Sequence, residues 1–138
     1  MKISAKVENS QGHHQVMLSS NNFAHSLVIP PKPRGFGSSA SGGELLFLAL
    51  ATCYCNDIYR EAANLGLKVE NVEVGVEGEF PAEGEPAKDV SYRAKVTAQA
   101  SEAQIRELMT QTDRVAEIQN TLRIETPVIL SGIEVVTV

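Results

Sequence analysis

Cys53 and Cys55 are the residues of this sequence best suited to covalent chemistry, because a thiolate is a strong nucleophile. They lie two positions apart in a stretch that predicts a helix, so their side chains face different directions and cannot form a disulfide with each other. A reactive cysteine needs a cation, a helix N-terminus or a base beside it, and neither cysteine lies in the first turn of the predicted helix. The residues alone therefore favour two free thiols that pack in a buried helix.

The other residues that could do chemistry are three histidines and two basic residues of a proline-rich loop. His13, His14 and His25 have no cysteine or carboxylate near them at the spacing of a metal site. Lys32 and Arg34 stand among prolines, where they could attract an anion but more commonly face water. We expect no metal ion and no cofactor.

The stretch that must position the cysteines runs from Gly42 to Gly66 and predicts one long helix. Ser41 is a capping side chain, Glu44 lies in the first turn, and Gly66 is a natural stop. The run 45–51 is apolar on every side, which is typical of a helix buried all round. Since one sheet can cover only one side of it, the sequence predicts a tight homodimer.

The rest of the chain alternates short strands with a second helical region. A capping box at Ser101 and Gln104 opens one helix, and 116–122 predicts a further short turn of helix bent from the first. Hairpin-forming strands indicate an α+β fold with an antiparallel sheet, in a single domain over residues 1–138. The predicted strands are 3–7, 15–18, 25–29, 69–80, 90–99 and a last one at 129–130 and 133–138.

Composition excludes several classes of function. With 138 residues and a net charge of −5, the chain lacks the basic surface that nucleic-acid binding requires. No basic segment followed by an apolar run opens the sequence, so no secretion signal is predicted. The run 45–51 is too short to span a membrane, and we expect a cytoplasmic protein.

The long helix resembles the core motif of the OsmC/Ohr family. The resemblance rests on Glu44-Leu45-Leu46, the small apolar run that ends at Cys53, Ile58-Tyr59 and the helix end Gly66-Leu67, and the order of strands and helices agrees as well. It implies an intertwined homodimer with two long central helices wrapped by two sheets. It also implies reduction of organic hydroperoxides: one thiol becomes a sulfenic acid, a second condenses with it to a disulfide, and a dithiol reductant opens that bond.

The sequence departs from the family pattern at the second thiol. In the family this cysteine precedes a stretch similar to Pro-Val-Ser-Asn-Thr-Leu, and here Ala116 precedes the matching stretch 117–122. Cys55 is on the wrong face of the helix to resolve Cys53. The usual two-cysteine mechanism therefore cannot operate in this chain.

The charge partner of the thiol differs too. The family uses an arginine from its N-terminal strands, and the first three predicted strands here contain none. Arg34, in the loop before the helix, is a candidate replacement. Glu44 matches the glutamate that opens the long helix in many members, although the carboxylate that pairs with the arginine in the peroxidases could instead fall at Gly43.

Three functions are consistent with these patterns. The first is a one-cysteine hydroperoxide reductase in which Cys53, with Glu44 and Arg34 as candidate catalytic residues, attacks the peroxide and an external thiol resolves the sulfenic acid. The second is a non-catalytic dimer of the same fold that binds a small apolar ligand, with Cys53 only packing. The third is a hot-dog-type acyl-thioester enzyme, which the second helical region and the cysteine-centred motif disfavour.

Overall fold

A computed structural model describes residues 1–136 and residue 138. The chain folds as three strands, a long helix, two strands and two helices, which confirms the α+β class. It divides into two compact units, residues 1–46 and 47–138, and the single-domain interpretation stays a prediction. The elements are β1 (Ile3–Ser10), β2 (His13–Ser20), β3 (Phe23–Ser26), α1 (Gly42–Asn64), β4 (Lys68–Glu79), β5 (Lys88–Gln99), α2 (Glu102–Val115) and α3 (Glu117–Arg123).

The first unit contains an antiparallel sheet in the order β1-β2-β3. Gly12, at a φ of +72°, makes the tight turn between β1 and β2 that its missing side chain allows. The third strand ends three residues earlier than the predicted 25–29, because Pro30 and Pro31 have no backbone N–H with which to extend the ladder. The predicted antiparallel pairing is thus present, although the strands form two small sheets rather than one.

Helix α1 begins and ends where its sequence signals predict. Ser41 Oγ accepts a hydrogen bond from the Glu44 N–H at 3.1 Å, and the Glu44 carboxylate accepts one from the Ser41 N–H at 3.4 Å, which is a reciprocal capping box. At the other end Gly66 adopts a φ of +68°, and the Leu67 N–H donates to the carbonyl of Ala62.

The second unit is built around one face of α1. Tyr54, Ile58 and Ala62 pack with Leu108 of α2 into a buried cluster, and Ile58 is fully buried. The inward side chains of β4 and β5 cover this cluster, which explains why apolar and polar residues alternate along most of each strand. The partly buried residues packed against it are Leu67, Val69, Val72, Val74, Tyr92, Ala94, Val96 and Met109.

The hairpin of β4 and β5 pairs an acidic strand with a basic one, as the sequence predicts. Glu73 lies directly opposite Lys95 in the register. Near the turn, Lys88 Nζ lies 3.6 Å from Glu79 Oε2. Cross-strand pairs of opposite charge help to fix the register of a hairpin.

The two C-terminal helices follow their predicted bounds closely. Ser101 and Gln104 form the expected capping box at the start of α2. Ala116 has extended backbone angles and separates α2 from α3, which produces the predicted bend. This break matters because it places the first residues of α3 beside α1.

The predicted last strand is not formed by the residues that the structure describes. Residues 124–136 contain no strand, and Thr137 of the predicted segment 133–138 lies outside the described residues. This segment pairs with no strand among the described residues, and its apolar side chains are largely exposed. They include Val128, Ile129, Leu130, Ile133, Val135 and Val136.

Helix α1 has one largely apolar stripe that the other described residues leave uncovered. Leu48, Thr52, Cys55 and Tyr59 follow helical spacing along this outer stripe, where Leu48 is 56% and Tyr59 46% exposed. The expectation of burial all round is therefore met on one face only. No helix within residues 1–136 is long and apolar enough to cross a membrane.

Candidate functional site

Cys53 lies beside two carboxylates, one from its own helix and one from α3. Its Sγ is 3.5 Å from Asp57 Oδ2, one turn further along α1, and 3.8 Å from Glu117 Oε2. Asp57 is buried, Cys53 is half-buried and Glu117 is exposed. The thiol is thus reachable from solvent on the side of Glu117.

Arg60 joins the two carboxylates from the opposite side. Its Nη1 lies 3.1 Å from Asp57 Oδ1 and 3.1 Å from Glu117 Oε1. Its Nε donates to Glu61 Oε1 at 3.1 Å. Each of the two carboxylates beside the thiol therefore has one oxygen on the guanidinium and its other oxygen towards the sulfur.

The start of α3 is held against α1 by a buried glutamine. Gln119 Nε2 donates to the carbonyl of Leu50 at 3.0 Å, one turn before Cys53. Its Oε1 is buried without a hydrogen-bond partner among residues 1–136 and 138. This contact holds α3 where Glu117 reaches the sulfur and where the backbone N–H of Ile118 lowers the pKa of the thiol.

Burial and negative charge keep the thiol protonated. Burial is the largest cause that raises the pKa of Cys53, and the charges of Asp57 and Glu117 raise it further. The hydrogen bond from the Ile118 N–H acts in the opposite direction and stabilises the thiolate. The net shift is upward, so more of the thiol is protonated at neutral pH than in an ordinary cysteine.

The two carboxyl groups beside the thiol have opposite pKa shifts. Burial and the hydrogen bond to Glu117 raise the pKa of Asp57, whereas a hydrogen bond to its own backbone, assisted by Asp57 and Arg60, lowers the pKa of Glu117. Asp57 is therefore the carboxyl group of the pair that binds a proton more readily, and Glu117 is the one that ionises more readily. The site combines a thiol, two carboxyl groups and a guanidinium.

A second polar network lies behind the thiol and supports the fold. The Tyr92 hydroxyl donates to Asp113, and Arg123 Nη2 lies 2.8 Å from the same carboxylate. Burial alone would raise the pKa of Asp113, but these two hydrogen bonds lower it. Burial raises the pKa of Tyr54 to about 12, and its hydroxyl donates to the carbonyl of Met109. These groups stay in one ionisation state near neutral pH.

The other sequence-predicted site residues lie in the first unit. Arg34 is exposed at the tip of a loop that is closed by a bridge between Pro31 and Ser38. Glu44 forms the capping box of α1 with Ser41. The roles of Arg34 and Glu44 at the thiol remain predictions, and Cys55 lies on the outer stripe of α1 as a free thiol.

Three residues of the site were missed by the sequence analysis: Asp57, Arg60 and Glu117. Asp57 and Arg60 lie four and seven positions after Cys53, a spacing that places side chains on one face of a helix, so the signal was present. Glu117 had a weaker signal. It stands where the family stretch begins with proline, directly after the missing second cysteine.

Residues 35–131 match the protein-family model described as OsmC-like protein, which is well over half of the chain. The chain belongs to the OsmC-like family. Its position 116, which lacks the second cysteine of the family pattern, is an alanine that is fully buried at the break between α2 and α3. No curated protein matches the sequence.

Solved structures of OsmC-like proteins have the same fold at low sequence identity. An OsmC-like protein from Mycoplasma pneumoniae is 19% identical, with a TM-score of 0.59, over 88% of this chain and 89% of that one. An organic hydroperoxide resistance protein OsmC from Legionella pneumophila is 18% identical, with a TM-score of 0.59, over 90% of both chains. An OsmC-like hydroperoxide resistance protein from Jannaschia sp. is 12% identical, with a TM-score of 0.53, over 91% of this chain and 86% of that one.

Asp57→Asn is expected to lower the pKa of the Cys53 thiol. The amide keeps the shape of the carboxyl group but removes the negative charge that favours the protonated thiol. Alkylation of Cys53 at neutral pH should become faster, and its pH profile should move to lower pH. The measurement uses a Cys55→Ser background so that only one thiol reacts, and Glu107→Gln on the exposed face of α2 is the matched control. An unchanged or upward-shifted profile would contradict the electrostatic account.

Proposed function

We propose that this OsmC-like protein is a one-cysteine organic hydroperoxide reductase that uses Cys53 and an external thiol. The observation that supports it best is the contact of the half-buried Cys53 sulfur with the Glu117 carboxylate, which can accept its proton. The Ile118 N–H, which lowers the pKa of the thiol, favours the thiolate. Membership of the family and the neighbours named as hydroperoxide resistance proteins agree with this function.

The first chemical step oxidises the sulfur. The thiol proton passes to the Glu117 carboxylate as the sulfur attacks the terminal oxygen of the hydroperoxide, and the O–O bond breaks. The alkoxide that leaves takes up this proton and departs as an alcohol, so that Cys53 becomes a sulfenic acid. A raised thiol pKa gives a protonated resting state, and the adjacent base supplies the thiolate during the attack.

The next two steps restore the thiol. One external thiol condenses with the sulfenic acid, releases water and leaves a mixed disulfide on Cys53. A second external thiol attacks this disulfide and departs as an external disulfide, which returns Cys53 to its reduced form. Arg60 fixes both carboxylates throughout, since its guanidinium contacts an oxygen of each.

The test is consumption of an organic hydroperoxide by purified protein in the presence of an added thiol. We expect turnover with a monothiol as well as with a dithiol, because no second protein thiol takes part. A rate equal to that of buffer with thiol alone would rule out the reductase and leave the alternative, a non-catalytic dimer that binds a small apolar ligand. The raised pKa of Cys53 is the observation that favours this alternative.

We also propose that the protein works as a homodimer that covers the outer stripe of α1. A leucine and a tyrosine on one face of the helix are exposed, and so is the apolar C-terminal segment. Together they form more exposed apolar surface than a chain of this size usually leaves in water. A second copy of the chain is the occupant that the family resemblance implies.

If the protein is a dimer, size-exclusion chromatography with light scattering should measure a molar mass of twice the 14.9 kDa chain mass. Leu48→Lys should shift it towards the monomer, because the charge would be buried at the contact between two copies. Leu65→Lys, beyond the end of α1 and similarly exposed, should remain dimeric. A monomeric wild-type chain would contradict the proposal.

A further inference from the structure

The thiol site has the form of a metal site as well as that of a nucleophile site. Cys53 Sγ, one oxygen of Asp57 and one oxygen of Glu117 lie within 4.8 Å of one another. The ligands come from two different helices, and Asp57 is buried. The sulfur and the two carboxylate oxygens thus lie close enough together to contact a single ion.

The two sulfur–oxygen distances match edges of a tetrahedron around a zinc ion. With a Zn–S bond of about 2.3 Å, a Zn–O bond of about 2.1 Å and a tetrahedral angle, sulfur and oxygen lie about 3.6 Å apart. The observed Sγ–O distances are 3.5 Å to Asp57 and 3.8 Å to Glu117. We propose that Cys53, Asp57 and Glu117 bind a thiophilic divalent cation, with zinc as the best fit.

Arg60 supplies the outer support that such a site needs. It contacts Asp57 Oδ1 and Glu117 Oε1, and it leaves Oδ2 and Oε2 towards the sulfur, so each carboxylate is oriented for one-oxygen ligation. Hydrogen-bonded partners of this kind commonly orient ligating carboxylates. Three protein ligands leave a fourth tetrahedral position for water or another small ligand.

The charges of the three ligands also favour a divalent cation such as zinc. Binding displaces the thiol proton, so a thiolate and two carboxylates face one divalent cation, and the guanidinium offsets the excess negative charge. The thiolate selects zinc over magnesium and calcium, which prefer sites made entirely of oxygen ligands. The sequence analysis considered only the histidines for metal binding and therefore did not detect this cluster.

Metal binding goes beyond the proposed reductase and does not depend on it. A bound cation would cover the Cys53 sulfur and withdraw its lone pairs, which would protect the thiol from hydroperoxides and alkylating reagents. The same three side chains would then give either a reactive thiol or a protected one, according to the supply of the cation.

The experiment titrates the full-length reduced protein with Co²⁺, which replaces Zn²⁺ and reports a sulfur ligand by a thiolate-to-cobalt charge-transfer absorption. We expect this absorption in the wild type and in Cys55→Ser, its removal by one equivalent of Zn²⁺, and its absence in Cys53→Ser. Glu117→Gln should weaken binding by about tenfold or more, since loss of even an outer partner costs about that much. Glu107→Gln is the matched control and should bind like the wild type.

Three results would overturn the proposal: no charge-transfer absorption in the wild type, its loss in Cys55→Ser but not in Cys53→Ser, or equal affinity in Glu117→Gln and Glu107→Gln. Because Glu117 is exposed, its variant tests the site even if Asp57→Asn is poorly folded. The titration contains no peroxide, so its failure is distinct from failure of the reductase. Turnover without cobalt binding would overturn only the metal site, and cobalt binding without turnover would overturn only the reductase.

Discussion

Cys53→Ser is expected to reduce thiol-dependent turnover of an organic hydroperoxide by at least about a thousandfold, which is the order of loss when a nucleophile is removed. The serine hydroxyl is a much weaker nucleophile towards a peroxide oxygen and cannot form a sulfenic acid. The side chain is nearly the same size and only half-buried, so the fold should be kept.

The matched control is Cys55→Ser, because the two cysteines lie on the same helix and are both half-buried. Cys55 contacts neither Asp57 nor Glu117 in the hydrogen bonds of the described residues, and its variant should keep the wild-type rate. Thermal unfolding of both variants shows whether either change disturbs the structure. Equal loss of activity in the two variants, or no loss in Cys53→Ser, would contradict the assignment of the nucleophile.

Ala116→Cys is expected to convert the one-cysteine cycle into a two-cysteine cycle. Position 116 is where the family pattern has its second cysteine, and the next residue, Glu117, already reaches within 3.8 Å of the Cys53 sulfur. After one equivalent of hydroperoxide the variant should contain a disulfide between Cys53 and the introduced thiol, with a mass lower by two hydrogen atoms and the loss of both free thiols. Since Ala116 is fully buried, the larger side chain should also cost about 1 kcal/mol or more of stability.

The change in reductant preference is the functional readout of this variant. An intramolecular disulfide is opened most efficiently by a dithiol, so the ratio of dithiol-dependent to monothiol-dependent turnover should rise relative to the wild type. Ala103→Cys, which places a thiol on the exposed first turn of α2, is the control and should keep the wild-type ratio. A sulfenic acid that persists on Cys53 in Ala116→Cys would show that position 116 is not within reach of the sulfur.

Local sequence signals were sufficient for most of the secondary structure. Helix α1, the capping box at Ser101 and the break at Ala116 depend on caps, glycine and apolar spacing, all of which can be read from neighbouring residues. The β4–β5 hairpin was equally clear, because apolar and polar residues alternate over most of each strand. These elements need little tertiary information.

The thiol site was harder to predict because it depends on contact between distant residues. Asp57 and Arg60 follow Cys53 at helical spacing and could have been found from α1 alone. Glu117 is 64 positions away from Cys53, and its contact requires α3 to lie on α1 through the buried hydrogen bond from Gln119 to Leu50. No local pattern encodes that arrangement.

At the C-terminal segment, local sequence signals predicted a strand that the described residues do not form. Its β-branched residues favour a strand, yet 124–136 forms none, because strand formation depends on an available edge and not on propensity alone. Similar reasoning applies to the outer stripe of α1, whose apolar residues stay exposed among the described residues. Both features depend on packing partners that a local sequence pattern does not specify.

The most direct test of the central claim is to trap the product of the first step on the wild-type protein. Reduced protein is treated with one equivalent of an organic hydroperoxide in the presence of a carbon nucleophile that reacts selectively with sulfenic acids, and the adduct is located by peptide mass spectrometry. The account predicts one adduct per chain, on Cys53, with Cys55 still a free thiol. An unmodified Cys53, or adducts spread equally over Cys53 and Cys55, would contradict it.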